Sequence, residues 1–217
     1  MLKNVSFLGL GVMGFPMAGY LAKAGFSTCV YNRTASKADD WQKQQPSTAH
    51  TSTASTPALA VADAQIVCMC LGNDDDVRSV VYGDDGVLAN MPAGGILIDH
   101  TTGSQTLALE LAQACRARNI GFIDAPVSGG QAGAENGQLT IMCGANAEDY
   151  KCAKPVLDVY SRHHQLLGDV GAGQLAKMMN QICIAGIVQG LSEALHFGDK
   201  AGLDRQAVID HFGTSLP

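Results

Sequence analysis

Charge is scarce in this sequence, and positive charge scarcer still. Asp, Glu, Lys and Arg make up 16% of the 217 residues, and 14 Lys plus Arg stand against 20 Asp plus Glu. A net charge of -6 with no basic patch argues against nucleic acid as the main partner. No apolar run is long enough for a membrane span. The first apolar run is a short strand interrupted by Gly9 and Gly11, not a secretory leader. The seven cysteines are scattered, with no CxxC pair and no metal-ligand spacing. Cys68 and Cys70 stand two apart in one apolar run, on one face if that run is a strand. Buried, reduced thiols in a cytoplasmic protein are therefore expected, with no metal site. The chain is long enough for one sizeable apolar-cored domain plus an appendage.

Glycine, by contrast, is placed with purpose. Straight after the apolar run Val5-Ser6-Phe7-Leu8 stands Gly9-Leu10-Gly11-Val12-Met13-Gly14, which continues into a helical pattern. Strand, glycine turn and helix in that order are the context that a dinucleotide-binding fingerprint needs. Gly9 permits the sharp exit from the strand. Gly11 lets a pyrophosphate approach the backbone, and Gly14 lets the helix pack against the strand. The first turn of the helix offers free N–H groups and the positive end of its dipole to phosphate.

Up to about Leu167, short apolar runs alternate with helical patterns, which implies a mainly parallel sheet. Strands are expected at 3–8, 28–31, 65–71, 96–98, 121–124, 139–143 and 163–167. Helices are expected at 12–24, in a short piece from Pro57, at 106–118 and at 148–160, the last interrupted by Pro155. Residues 42–56 read as loop or weak structure. Over 172–192 the only charged residue is Lys177, so a helix there is apolar almost all round and must be buried on several sides. One more short helix is expected at 205–212. The fold class is thus α/β: a Rossmann-type, doubly wound, mainly parallel sheet at 1–167. A long helix and a short, incomplete helical domain follow at 168–217.

The end of the second strand lacks something too. In NAD-preferring sites an acid stands there and holds the ribose 2′-hydroxyl. Here the residues are Asn32, Arg33 and Thr34. A guanidinium fork with neighbouring polar groups suits a 2′-phosphate, hence NADP, with NAD possible. An ordinary solvated turn is the other reading. Lys177 also has two readings. Buried on an apolar helix, its pKa is pushed down into the range of a general acid/base; otherwise it snorkels and covers apolar surface. Gln174, Asn180 and Gln181 share its face. His100, His163 and His164 have no companions at ligand spacing, and Asp74-Asp75-Asp76 reads as a solvated helix start.

Five segments, in order, resemble the β-hydroxyacid dehydrogenase family. It includes 3-hydroxyisobutyrate dehydrogenases and tartronate and succinic semialdehyde reductases, and is related to 6-phosphogluconate dehydrogenase. They are the opening glycine segment, Leu71-Gly72-Asn73, Asp99-His100-Thr101-Thr102, Asp124-Ala125-Pro126-Val127-Ser128-Gly129-Gly130, and Gly171-x-Gly173-x-x-x-Lys177. The resemblance implies that Leu71, Gly72 and Asn73 lie over the cofactor, with Thr101 and Thr102 by the nicotinamide. It also implies that Ser128, Gly129 and Gly130 bind the substrate, and that Lys177 is catalytic. A hydroxyl beside two unhindered N–H groups suits a carboxylate. The family has an Asn four residues after the lysine, bound to substrate; here that place holds Gln181, with Asn180 one earlier, and the resemblance implies that one of these amides helps hold the substrate.

The resemblance implies an oxidoreductase that interconverts a small β-hydroxy acid and its semialdehyde. A homodimer or larger oligomer is expected, since another chain can cover the apolar helix. The last residues, 211–217, no longer resemble the family, so a shortened member is expected. A dinucleotide-binding module with little or no turnover is the alternative function.

Overall fold

Strand β1 (Asn4–Leu8) buries every residue after Asn4, as befits a central strand covered on both faces. The computed structural model describes residues 4–215, with side chains to 212. The order continues α1 (Gly14–Lys23), β2 (Ser27–Tyr31), α2 (Ala35–Lys43), β3 (Thr51–Ala54), α3 (Pro57–Val61), β4 (Ile66–Met69), α4 (Asp74–Val81) and α5 (Val87–Asn90). Then come β5 (Ile96–Asp99), α6 (Gln105–Ala117), β6 (Gly121–Asp124), β7 (Val127–Ser128), α7 (Gly130–Glu135), β8 (Leu139–Gly144), α8 (Ala147–Tyr160), β9 (Ser161–Gly168), α9 (Ala172–Lys200) and α10 (Arg205–Ser215).

The sheet runs β3-β2-β1-β4-β5-β6-β8-β7, with β9 beside β8. The first six strands in that order are parallel, and β8 runs antiparallel to β6 and β7. This is the doubly wound, Rossmann-type α/β architecture expected above. Alternation along the central strands feeds two cores. Phe7, Ile66, Cys68, Ile98 and Ile123 pack on one face with Met17, Trp41 and Tyr160. Leu8, Val67, Met69, Leu97 and Phe122 pack on the other with Val77, Leu107 and Leu111.

Two compact units divide the chain, Met1–Lys177 and Met178–Pro217. The boundary falls inside α9, whose first turns belong to the sheet-bearing unit. In the second unit, Asp204 accepts the N–H groups of Gln206 (2.9 Å) and Ala207 (3.1 Å) and so caps α10. Exposed apolar side chains run along the part of α9 that belongs to this unit, with Ile182 at 71% and Phe197 at 72% exposure.

Some elements differ from the sequence reading. Residues 42–56 contain the end of α2 and an edge strand, β3, whose four residues bury none of their side chains fully. With no buried face, β3 has no alternation to read. Helix α8 continues unbroken through Pro155. Asn146 caps it, accepting the Asp149 N–H at 2.8 Å, and burial of Val156, Leu157 and Tyr160 beyond the proline outweighs its missing hydrogen bond. Cys152 and Cys183 are exposed, against the expectation of buried thiols. Lys3, placed in the first strand by sequence, and residues 216–217 lie outside the described residues. Among the described residues, no helix is long and apolar enough to cross a membrane.

Candidate cofactor cleft and active site

The three glycines of the opening turn do three different things. Gly9 has φ +95°, and its N–H donates to Tyr31 O at 2.9 Å. A Cβ at Gly9 would strike the Cys70 carbonyl, and one at Gly14 would strike the Gly9 carbonyl and come within 2.8 Å of the Phe7 ring. A Cβ at Gly11 would meet nothing within 4 Å. Its bare backbone instead lines a cleft of about 720 Å³ together with Gly9, Val12, Met13 and Gly14. Among the described residues no side chain caps α1; the Phe15 N–H donates to Gly11 O at 3.0 Å and Pro16 has no N–H, which leaves the N–H groups of Met13 and Gly14 at the helix start for a ligand. An exposed backbone and an uncapped helix start fit a dinucleotide pyrophosphate.

Asn32 braces this turn from the edge of the cleft. Its Oδ1 accepts the Leu10 N–H at 2.9 Å and its Nδ2 donates to Thr34 O at 3.0 Å. Leu10 contributes that N–H while its side chain is buried. Asn32, Arg33 and Thr34 all line the cleft. Arg33, 82% exposed, pairs with Asp76 at 3.0 Å. Lys37 of α2 lines the same cleft and was not singled out in the sequence. The lysine lies outside the fingerprint, so spacing alone carried no signal for it.

Leu71 and Gly72 line the cleft from the other side. Asn73 caps α4, its Oδ1 accepting the Asp76 N–H at 2.9 Å. Thr101 is buried, and its Oγ1 accepts the Leu71 N–H at 3.0 Å, while Thr102 is exposed. Thr101 thereby fixes the loop that carries Leu71, and its own N–H donates to Asp99 Oδ1 at 2.9 Å. Of the three aspartates at the start of α4, Asp74 accepts the N–H of Ser104 at 3.0 Å and its hydroxyl at 2.6 Å. Asp76 takes Arg33, so that helix start is less solvated than its sequence implied.

The start of α9 is held by Asp124, at the end of β6. Its Oδ1 accepts the Gly171 N–H at 2.7 Å and its Oδ2 the Gln174 N–H at 2.8 Å. Glycine is required around this carboxylate: a Cβ at Gly144 would strike Asp124 Oδ1, and one at Gly173 would lie 2.8 Å from Oδ2. Gln174 is buried, and its amide is already in use. Nε2 donates to Thr101 O at 2.8 Å, and Oε1 accepts the Gly103 N–H at 3.1 Å. It ties α9 to the Thr101 loop.

Lys177 follows Gln174 by three residues and is 9% exposed. Burial lowers its pKa below the ordinary lysine value. Among the described residues it has no carboxylate within ion-pair distance.

Ser128 ends β7, opposite Thr140 of β8, and is half-buried. Gly129 (φ +127°) and Gly130 (φ +60°) follow, exposed and in the left-handed region where a side chain is strained. Asn180 and Gln181 belong to the second unit, where Asn180 Nδ2 donates to Gln181 Oε1 at 3.4 Å.

His100 is a core residue. Its Nδ1–H donates to Ala125 O at 2.7 Å, and its Nε2 accepts the Tyr160 hydroxyl at 2.9 Å. Burial takes its pKa down to about 4, so it is neutral. Among the described residues, no group of three or more His, Cys, Asp or Glu could hold a metal ion.

Residues 4–171 match the family of the NAD binding domain of 6-phosphogluconate dehydrogenase. Residues 171–216 match the family described as NAD-binding of NADP-dependent 3-hydroxyisobutyrate dehydrogenase. The chain belongs to the 3-hydroxyisobutyrate dehydrogenase-like β-hydroxyacid dehydrogenase family. An uncharacterized oxidoreductase of Shewanella frigidimarina is 54% identical over 209 residues, covering 96% of this chain and 70% of its own length. A 3-hydroxyisobutyrate dehydrogenase of Pseudomonas aeruginosa is 37% identical, covering 94% of this chain and 66% of its own. Among solved structures, the Mycobacterium tuberculosis 3-hydroxyisobutyrate dehydrogenase with L-serine superposes with a TM-score of 0.87 at 30% identity. That match covers 97% of this chain and 69% of the other. This β-hydroxyacid dehydrogenase-type chain therefore spans about two thirds to seven tenths of the length of these relatives. The glycine cleft lies within the first family match, and Lys177 within the second.

Proposed function

We propose that this chain is an NADP-preferring oxidoreductase interconverting a small, 3-hydroxyisobutyrate-like β-hydroxy acid and its semialdehyde. The observation that carries this reading is the placement of Lys177. It is buried, with no ion-pair partner among the described residues, in the first turns of α9, which Asp124 and Gln174 tie to the Thr101 loop beside the cofactor cleft. In this reading the nicotinamide, when bound, supplies or accepts the hydride. The glycine turn and the start of α1 hold the pyrophosphate, and Arg33, with Lys37 near it, holds a 2′-phosphate. Ser128 and the N–H groups of Gly129 and Gly130 hold the substrate carboxylate.

Lys177 gives a proton to the carbonyl oxygen during reduction and takes it from the hydroxyl during oxidation. A lowered pKa suits both directions near neutrality. We further propose a homodimer or larger oligomer, supported by the exposed apolar residues of the second unit. The test is a panel of small β-hydroxy acids and semialdehydes, each assayed with NADPH and NADH. Turnover on a member of the panel supports the reading. Tight cofactor binding with no turnover on any of them replaces it with a dinucleotide-binding module.

A further inference from the structure

Arg33 and Asp76 are 43 residues apart in sequence, yet they meet at 3.0 Å in the cleft. The meeting is built from several sides. The Asp76 N–H donates to Asn73 Oδ1 at 2.9 Å, and the Ser79 hydroxyl donates to Asp76 O at 2.8 Å, so its backbone is pinned in the first turn of α4. Gly72 leaves room for the carboxylate, since a Cβ there would come within 2.5 Å of Asp76 Oδ2. Gly72, Asp76 and Arg33 all line the same cleft. The acid missing from the end of β2 is thus supplied by α4.

We propose that Asp76 sets the cofactor selectivity of this chain: it competes with a 2′-phosphate for the Arg33 guanidinium and holds NADP(H) binding in check against NAD(H). The inference rests on the dinucleotide reading of the cleft. A 2′-phosphate brings dianionic charge to a guanidinium that already has a carboxylate, so it must displace Asp76 or bind beside a like charge. A 2′-hydroxyl brings no charge and can donate to the same carboxylate, the role an acid at the end of β2 plays in NAD sites. One ion pair therefore presents a donor for one cofactor and an acceptor for the other.

Calorimetric titration of NADP+ and NAD+ into the chain and its D76N, R33A and double variants tests this. Asp76→Asn keeps the side chain's size and removes its charge. It should tighten NADP+ about tenfold, the scale of one charge-assisted contact, with no gain for NAD+. In the variant combining Asp76→Asn with Arg33→Ala, that gain should vanish, because it acts through the guanidinium. An unchanged ratio of the two affinities in D76N overturns the proposal. So does an equal change for both cofactors, or a gain that survives removal of Arg33. If the unaltered chain binds neither cofactor, the dinucleotide reading itself falls, and this inference with it.

Discussion

Asp124 accepts the backbone N–H of Gln174 at 2.8 Å across 50 residues of sequence, and the side chain of Gln174 returns to Thr101 O at 2.8 Å. Two ends of parallel strands are thereby fastened to the start of one helix. Thr101 lies just past β5, whose last residue, Asp99, is the register partner of Asp124 on β6. The orientation of Lys177 follows from this fastening, because it sits one turn further along α9.

Removing the Asp124 carboxylate should therefore loosen α9. In Asp124→Ala the N–H groups of Gly171 and Gln174 both lose their acceptor, and stability should fall by about 2–4 kcal/mol. Asp124→Asn keeps one acceptor oxygen and should cost less. Denaturant unfolding of both variants checks the order. Equal stability of the unaltered chain and Asp124→Ala contradicts it.

Two neighbouring buried groups should oppose each other in acid. Burial raises the Asp99 pKa to about 7, with the charge of Asp124 adding to it, and lowers that of His100 to about 4. Between pH of about 4 and 7 the folded chain holds an Asp99 proton that the unfolded chain has released, so this contribution to stability falls as pH rises. Burial also raises Asp124, to about 6, so it acts in the same direction.

His100 does the reverse. Unfolded, it binds a proton below about 6.5, so its contribution is lost as pH falls from there towards about 4. Asp99→Asn should make stability rise more steeply with pH across this window. His100→Phe should make it fall more steeply. The change in slope per group is at most about 1.4 kcal/mol per pH unit. Unfolding curves taken at several pH values read both slopes, and identical slopes in all three proteins contradict the assignment.

The second unit exposes Met179, Ile182, Ile187 and Leu191 along one helix. An oligomer that covers them is the expected state in solution. Light scattering at micromolar concentration should give a mass of two chains or more, and a monodisperse monomer counts against it.

The glycine turn was legible in the sequence because each of its glycines answers a local demand: a positive φ, a bare backbone facing the cleft and a close helix contact. The parallel sheet was legible because its central strands are apolar on both faces. Strand β3 was not, being a polar edge strand without a buried face. The Arg33–Asp76 pair and the Gln174 clasp were not either, since both join distant segments through side chains whose residue types carry no periodic signal. Gln174 shows the cost of reading one helix alone: spacing put its amide on the Lys177 face, and packing committed it to the Thr101 loop.

Lys177 is tested most directly by hydride transfer in Lys177→Ala, followed as NADPH absorbance in single turnover with a semialdehyde that the unaltered chain reduces. The expected rate is about 10²–10⁴-fold lower, the usual contribution of a general acid, with NADPH affinity little changed because the glycine cleft is intact. A variant that keeps most of its rate on the same substrate would contradict the role assigned to Lys177.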